Sequence, residues 1–123
     1  MKQLHQAPKR KDAKTITIPS KVTYQGVTYK VTAVSANACN GMKKLTKVTI
    51  GANVKTIGKN AFKNCKKLKT ITIKSSKLNS VGKNAIKGVN KKAVIKCPAK
   101  QVTKYKKLFK KSTGYVKTMK IKK

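Results

Sequence analysis

The sequence predicts a solenoid of parallel coils, each built from one β-strand and one short helical turn. A β-hairpin caps its N-terminal end, and a helix followed by a strand caps the other. Three observations carry this prediction. Apolar residues recur at intervals of 23 and then 24 residues, counting from Val31 to Val54 to Leu78. Inside each interval a run such as KVTI or TITI alternates with period two, which is the pattern of a strand with one buried face. The interval is too short to hold two packed helices, so a strand and a return arc must fill it, and equivalent positions must stack from coil to coil.

The columns can be read directly. Val34, Ile57 and Val81 share one. Asn37, Asn60 and Asn84 share the next, followed by Ala38, Ala61 and Ala85, then by Cys39, Phe62 and Ile86, then by Met42, Cys65 and Val89. Val48, Ile71 and Ile95 stand two residues before Ile50, Ile73 and Cys97. Leu45 and Leu68 form a column whose third position is Lys92. Stacked, these columns make one continuous apolar spine, and the lysines between them point outward.

A solenoid must cover its end coils. Residues 15–34, TITIPSKVTYQGVTYKVTAV, contain two alternating runs around Gln25-Gly26, a two-residue hairpin turn. Pro19 is placed where an edge strand tolerates it. At the other end Pro98 suits the first turn of a helix, and Val102, Tyr105, Leu108 and Phe109 fall on one helical face. Gly114 is a helix stop, and VKTMKIKK supplies a last strand with Met119 and Ile121 on one side. Residues 1–14 carry almost no apolar pattern and read as a basic flexible leader. The predicted organisation is therefore one domain over residues 15–123, with an N-terminal cap at 15–34, three coils over 31–100 and a C-terminal cap at 98–123.

The motifs L45-x-x-V48-x-I50 and L68-x-x-I71-x-I73 match the strand of a leucine-rich repeat, and N-A-F-x-x-C followed by K-K-L-x-x-I-x-I resembles the BspA-type leucine-rich repeat of bacterial surface proteins. The resemblance covers residues 15 to about 100, and the ending from I95-K-C-P onward is similar to C-terminal segments of such proteins from gut bacteria. The asparagine ladder of the general leucine-rich pattern stands only at Asn53, with Ser76 and Lys100 at its equivalents. The resemblance implies a leucine-rich repeat solenoid, export, extracellular or cell-surface display, and binding of host or microbial macromolecules.

Charge is the unusual property. The chain has 33 Lys+Arg against one acidic residue, Asp12, for a net charge of +32 in 123 residues. Two ammonium groups 8 Å apart in water repel by roughly 0.5 kcal/mol, so the compact state carries an electrostatic load and attracts polyanions without a shaped site. Arg10 is the single arginine. Lysine gives diffuse, hydrated charge, whereas base-edge reading relies on the arginine fork. The three cysteines, Cys39, Cys65 and Cys97, form no metal-ligand spacing and are odd in number. No apolar run reaches the roughly 18 residues of a membrane span, and the start lacks the apolar core of a secretion signal. The protein is then either intracellular or a segment of a longer exported chain.

No enzyme is expected. Acid–base and hydrolytic chemistry needs paired carboxylates, a triad or a metal cluster, and one Asp with one His, His5, cannot supply them. The cysteines occupy core columns and behave as small hydrophobes. Gly58-Lys59 and Gly82-Lys83 lack the frame of a phosphate loop and recur because turns recur. No metal or other cofactor is expected. The Asn37/Asn60/Asn84 column is either a ligand ladder or a set of turn residues. The helix near the C-terminus either packs as a cap or lies on an anionic membrane.

The expected partners are a protein or an anionic glycan or cell-wall polymer, engaged by a monomer. Outward strand residues Lys47, Thr49, Thr70, Thr72, Val94 and Lys96, with Lys74 at the edge, form a candidate binding face, unless threonine is there only as a strand-compatible solvent face. Lys104, Lys106, Lys107, Lys110, Lys111, Lys117, Lys120, Lys122 and Lys123 form a candidate polyanion-binding end, or a merely solubilising coat. Teichoic acids, acidic glycans and anionic lipid heads are its natural counterparts. Non-specific nucleic-acid binding is the alternative, supported by charge but not by arginine or aromatic content.

Overall fold

A computed structural model describes residues 2–6 and 12–123. Ten strands follow in chain order: β1 (Lys2–Gln6), β2 (Thr15–Ile18), β3 (Lys21–Tyr24), β4 (Val27–Val34), β5 (Lys47–Ile50), β6 (Thr56–Ile57), β7 (Thr70–Ile73), β8 (Ser80–Val81), β9 (Val94–Lys96) and β10 (Lys120–Lys122). One helix, α1 (Val102–Leu108), lies between β9 and β10.

Period-two alternation buries every second residue, and stacking then aligns like with like. β2, β5, β7, β9 and β10 form one five-stranded sheet in that spatial order, and each neighbouring pair is parallel. Its inward rows are Ile16–Val48–Ile71–Ile95–Ile121 and Ile18–Ile50–Ile73. The Val/Ile-bearing segments of the three repeats thus lie side by side in one sheet, and from Ile18 to Ile73 the second row is fully buried.

A second sheet lies along the other flank. β4, β6 and β8 are parallel, β1 pairs in parallel with β4, and β3 pairs antiparallel with it. A third ladder joins the turns: the amides of Asn37, Cys39 and Gly41 donate to the carbonyls of Lys59, Ala61 and Lys63. Asn60, Phe62 and Asn64 repeat the pattern onto Lys83, Ala85 and Lys87. Backbones on this side approach closely. A Cβ on Gly58 would sit 2.5 Å from the Ala36 nitrogen, and one on Gly82 would sit 2.5 Å from the Lys59 nitrogen. The repeated Gly-Lys pairs therefore mark coil-to-coil contact.

The asparagine column has a backbone cause. Asn37, Asn60 and Asn84 have φ of 61°, 60° and 59°. This left-handed conformation is costly for most residues and tolerated by Asn, so the residues are there for the turn.

Several sequence expectations change. The hairpin is β3–β4, with Gln25 and Gly26 at φ 50° and 77°, as a type I′ turn requires. Residues 15–18 are not part of it. After Pro19 the chain changes sheets, and TITI becomes the first strand of the main sheet. The leader is not without structure, because Lys2–Gln6 pair with Tyr29–Val34; an open parallel edge offers unpaired amides and carbonyls that recruit a strand without an apolar pattern. Met1 and residues 7–11 of the expected leader lie outside the described residues. In the third repeat Ala93, not Lys92, fills the apolar position: Ala93 is fully buried and Lys92 exposed, because the arc after Val89 is one residue longer than that after Cys65 and the step to Ile95 one residue shorter than that from Leu68 to Ile71. At the Asn53 position of the next coil the buried residue is Ser75, not Ser76. Asn53 donates to the Ser20 carbonyl and the Ser75 hydroxyl to the Val54 carbonyl.

The last coil runs from Pro98 to β10. α1 ends at Leu108 rather than at Gly114, which instead closes a short 3-10 turn over Lys111–Thr113 with φ 100°. The helix stops early because the carbonyls of Ser112 and Thr113 must accept from Asn84 and Ile86 and so continue the turn ladder. The Tyr105 hydroxyl donates to the Ser75 carbonyl at 2.6 Å and accepts from the Leu78 amide at 3.3 Å, inside a fully buried site.

Candidate functional site

The outward rows of the main sheet follow from the same register. One reads Thr15–Lys47–Thr70–Val94–Lys120 and the other Thr17–Thr49–Thr72–Lys96–Lys122. Neighbouring strands lie about 4.8 Å apart, so these rows tile one ribbed face. Lys47, Lys74 and Lys96 are exposed on it, while Thr49, Thr70, Thr72 and Val94 are half-buried between their neighbours. Lys74 follows β7, where its amide donates to the Ile50 carbonyl, so it sits at the rim.

The structure joins two groups that the sequence kept apart. Lys120 and Lys122, assigned to the basic end, stand on the sheet face beside Val94 and Lys96. Lys96 and Lys122 are register partners, an arrangement that is unfavourable for like charges. Thr15 and Thr17 also belong to the face, and sequence reasoning missed them. Their signal was present: TITI at 15–18 is identical to TITI at 70–73.

The remaining basic end divides. Lys104, Lys106 and Lys107 are exposed on α1. Lys106, Lys110, Lys111 and Lys117 come together around a groove floored by Phe109, Tyr115 and Val116. Lys123 is exposed at the chain end, next to Lys122. The apolar side of α1 is consumed by the core. Tyr105 and Phe109 are buried, and Val102 and Leu108 are half-buried against the same core, so the helix packs as a cap.

The thiols are insulated. Burial, with Cys65 nearby, pushes Cys39 up to about 12, and burial pushes Cys65 up to about 11 against hydrogen bonds from the Met42 and Gly41 backbone. Burial also raises Cys97. Cys65 Sγ donates to the Cys39 carbonyl at 2.9 Å, and all three cysteines are free. Such thiols are poor nucleophiles. Among the described residues, no three of His, Cys, Asp and Glu come together as a metal site, and no helix is long and apolar enough to cross a membrane.

Comparison with known proteins places this geometry. No curated protein matches the chain. Among solved structures, it is similar to a leucine rich cell surface protein from Faecalibacterium prausnitzii, at TM-score 0.59 and 27% identity, covering 71% of this chain and 30% of that one. It is also similar to a leucine-rich repeat protein from Bacteroides ovatus, at TM-score 0.52 and 25% identity, covering 88% of this chain and 29% of that one. The chain thus spans less than a third of either neighbour's length. The family model described as the BspA type leucine rich repeat region matches residues 32–123 with six copies. That match takes in the stacked strands, the turn ladder and the last coil together, and the chain belongs to the BspA-type leucine-rich repeat family.

Proposed function

We propose that the chain is a non-enzymatic binding module of a secreted or surface-displayed bacterial protein, which engages macromolecules through its sheet face and anionic polymers through its lysines. The family and the cell-surface description of one neighbour support the display and adhesion part. The observation that carries the polymer part is the register of Lys96, Lys120 and Lys122 on the face, with the exposed lysines of α1 on the element that neighbours β10. The backbone register sets the Cα positions of these lysines side by side, so an anionic chain relieves a repulsion that is already present in the fold. The domain acts as a monomer, and the lysine-bearing β10 edge of the main sheet, which resists pairing with a second sheet, supports that reading.

Binding to anionic polymer and to duplex DNA is measured against salt between about 50 and about 300 mM. Polymer binding should fall with a steep log–log slope, with duplex DNA weaker than an anionic glycan of equal charge. A flat salt response, or a preference for DNA, overturns the polymer reading and leaves protein adhesion through the threonine rows.

A further inference from the structure

We infer that a notch on the turn side of the solenoid, at Gly41, is an anion subsite that seats one sulfate or carboxylate of a linear anionic glycan. This rests on the reading that the lysine coat binds anions, and it names a separate place where a chain is gripped.

The notch arises from one column. Gly41, Asn64 and Gly88 are equivalent turn residues, with φ of 78°, 62° and 83°. The Gly41 and Asn64 amides donate along the ladder to Lys63 and Lys87, both at 2.8 Å. Asn64 leans toward the next coil, because a Cβ on Gly88 would lie 2.7 Å from Asn64 Oδ1. The space beside Gly41 is left open, and a Cβ there would meet nothing within 4 Å. Two hollows meet at Gly41 and Lys43. One is also lined by Asn64, Lys66 and Lys67, and the other by Lys44 and Asp12. Four lysines therefore border the two sides of Gly41, with one carboxylate on the Lys44 side.

The notch also opens onto a track. Lys43-Lys44, Lys66-Lys67 and Lys91-Lys92 repeat in successive coils, and all are exposed. At about 4.8 Å per coil, two charges per coil give one charge per roughly 2.4 Å along the axis. Two unit charges in water interact with thermal energy at roughly 7 Å, so the six lysines repel one another along this ridge and a linear polyanion relieves that repulsion on binding.

The surroundings favour a glycan over other polyanions. The notch has no aromatic platform and no arginine, which single-stranded nucleic acid exploits. The exposed large apolar residues Tyr24, Val27 and Val116 are not among its lining residues, so it lacks what a lipid surface would insert against. A hydrated, flexible chain with regularly spaced anions needs neither.

The test uses the full chain with a heparin octasaccharide, an oligogalacturonate of equal total charge and a 20-base-pair duplex, each titrated at low salt. Gly41→Asn fills the notch at unchanged net charge, with a residue that the same column already carries in this conformation. It should weaken glycan binding several-fold with circular dichroism and thermal midpoint unchanged. The triple variant K43Q/K66Q/K67Q should weaken it about tenfold and make the salt slope shallower by about 2. K106Q/K110Q/K111Q removes the same charge elsewhere and should weaken it less. Heparin preferred over an oligogalacturonate of equal total charge assigns sulfate, and the reverse assigns carboxylate. Equal loss in both triple variants with no effect of Gly41→Asn overturns the notch and leaves the general polyanion reading intact. No binding of any glycan by the wild-type chain removes both. If Gly41→Asn alters the fold, the comparison of the two triple variants decides. A notch-dependent preference for the duplex overturns the glycan assignment.

Discussion

The coils over residues 31–97 and the last coil, from Pro98 to β10, bury comparable ladders by different means. In the first region equivalent positions repeat their contacts: Val48 rests on Ile71 and Ile71 on Ile95, and the Asn37 amide donates to Lys59 as the Asn60 amide does to Lys83. The last coil has lost most of those columns. It inserts α1, drops a residue from the turn ladder, and adds to its strand and turn pairing a buried side-chain tie, from the Tyr105 hydroxyl to Ser75 and Leu78. Repetition makes each middle coil a template for the next. A terminal coil has a neighbour on one side only, so individual contacts must hold it. The sheet face changes near the same boundary, from rows led by Thr15, Thr17, Thr49, Thr70 and Thr72 to Lys96, Lys120 and Lys122.

Ways to break this comparison begin with the middle coils. Phe62→Ala removes a fully buried ring from the centre of the stack and should cost about 3–5 kcal/mol, read by urea unfolding as a lower midpoint for the whole domain. A small loss would show that the columns do not cooperate. Tyr105→Phe keeps the ring and removes both hydrogen bonds, leaving a buried carbonyl and amide unsatisfied; about 1–3 kcal/mol is expected. The loss should appear in hydrogen exchange of α1 and β10 before β5 and β7. Uniform loss would mean that the last coil is no separate unit.

Thiol labelling sharpens the same boundary. Cys97 contacts the last coil through its amide to the Lys122 carbonyl, whereas Cys39 and Cys65 belong to the middle coils. At pH 8 Cys97 should react first, and Tyr105→Phe should speed it further without exposing the other two. The pH dependence has a fixed sign. Cys39 and Cys65 titrate at about 12 and about 11 when folded, against 9.0, so between about pH 9 and these values the folded chain keeps protons that the unfolded chain releases. Their contribution is full below pH 9 and is lost as pH rises toward 12, measurable as a declining unfolding midpoint in Cys39→Ala/Cys65→Ala difference experiments. The smallest effect concerns the outer face. K96T/K122T extends the threonine rows and removes a like-charge register pair. It should change stability by about 0.5 kcal/mol or less, in the stabilising direction, while making the salt slope of heparin binding shallower.

Much of this was legible in the residues. Val48, Ile71 and Ile95 could be aligned by counting, and their alternation with threonine and lysine gave the two faces of the strands. Lys92 misled because counting assumes that every position keeps its place within the coil, and in the third repeat the apolar position sits one residue nearer Ile95, at Ala93. TITI at 15–18 misled in the opposite way. Proximity along the chain suggested a hairpin with the following run, although the identical TITI at 70–73 already pointed to a shared sheet. Of the site, single lysines were visible. Their grouping was not, since Lys96 beside Lys122 and Gly41 beside Lys66 are neighbours only across coils.

The sequence by itself determined the period, the direction each side chain takes from its strand, and therefore the composition of the buried rows, because those follow from local backbone geometry repeated at fixed intervals. Only the tertiary structure decided that Thr15–Ile18 and Lys120–Lys122 complete the sheet, that Tyr105 fastens the last coil, and that an open space lies beside Gly41. Each depends on which backbone closes against which over tens of residues, and no local spacing encodes that choice.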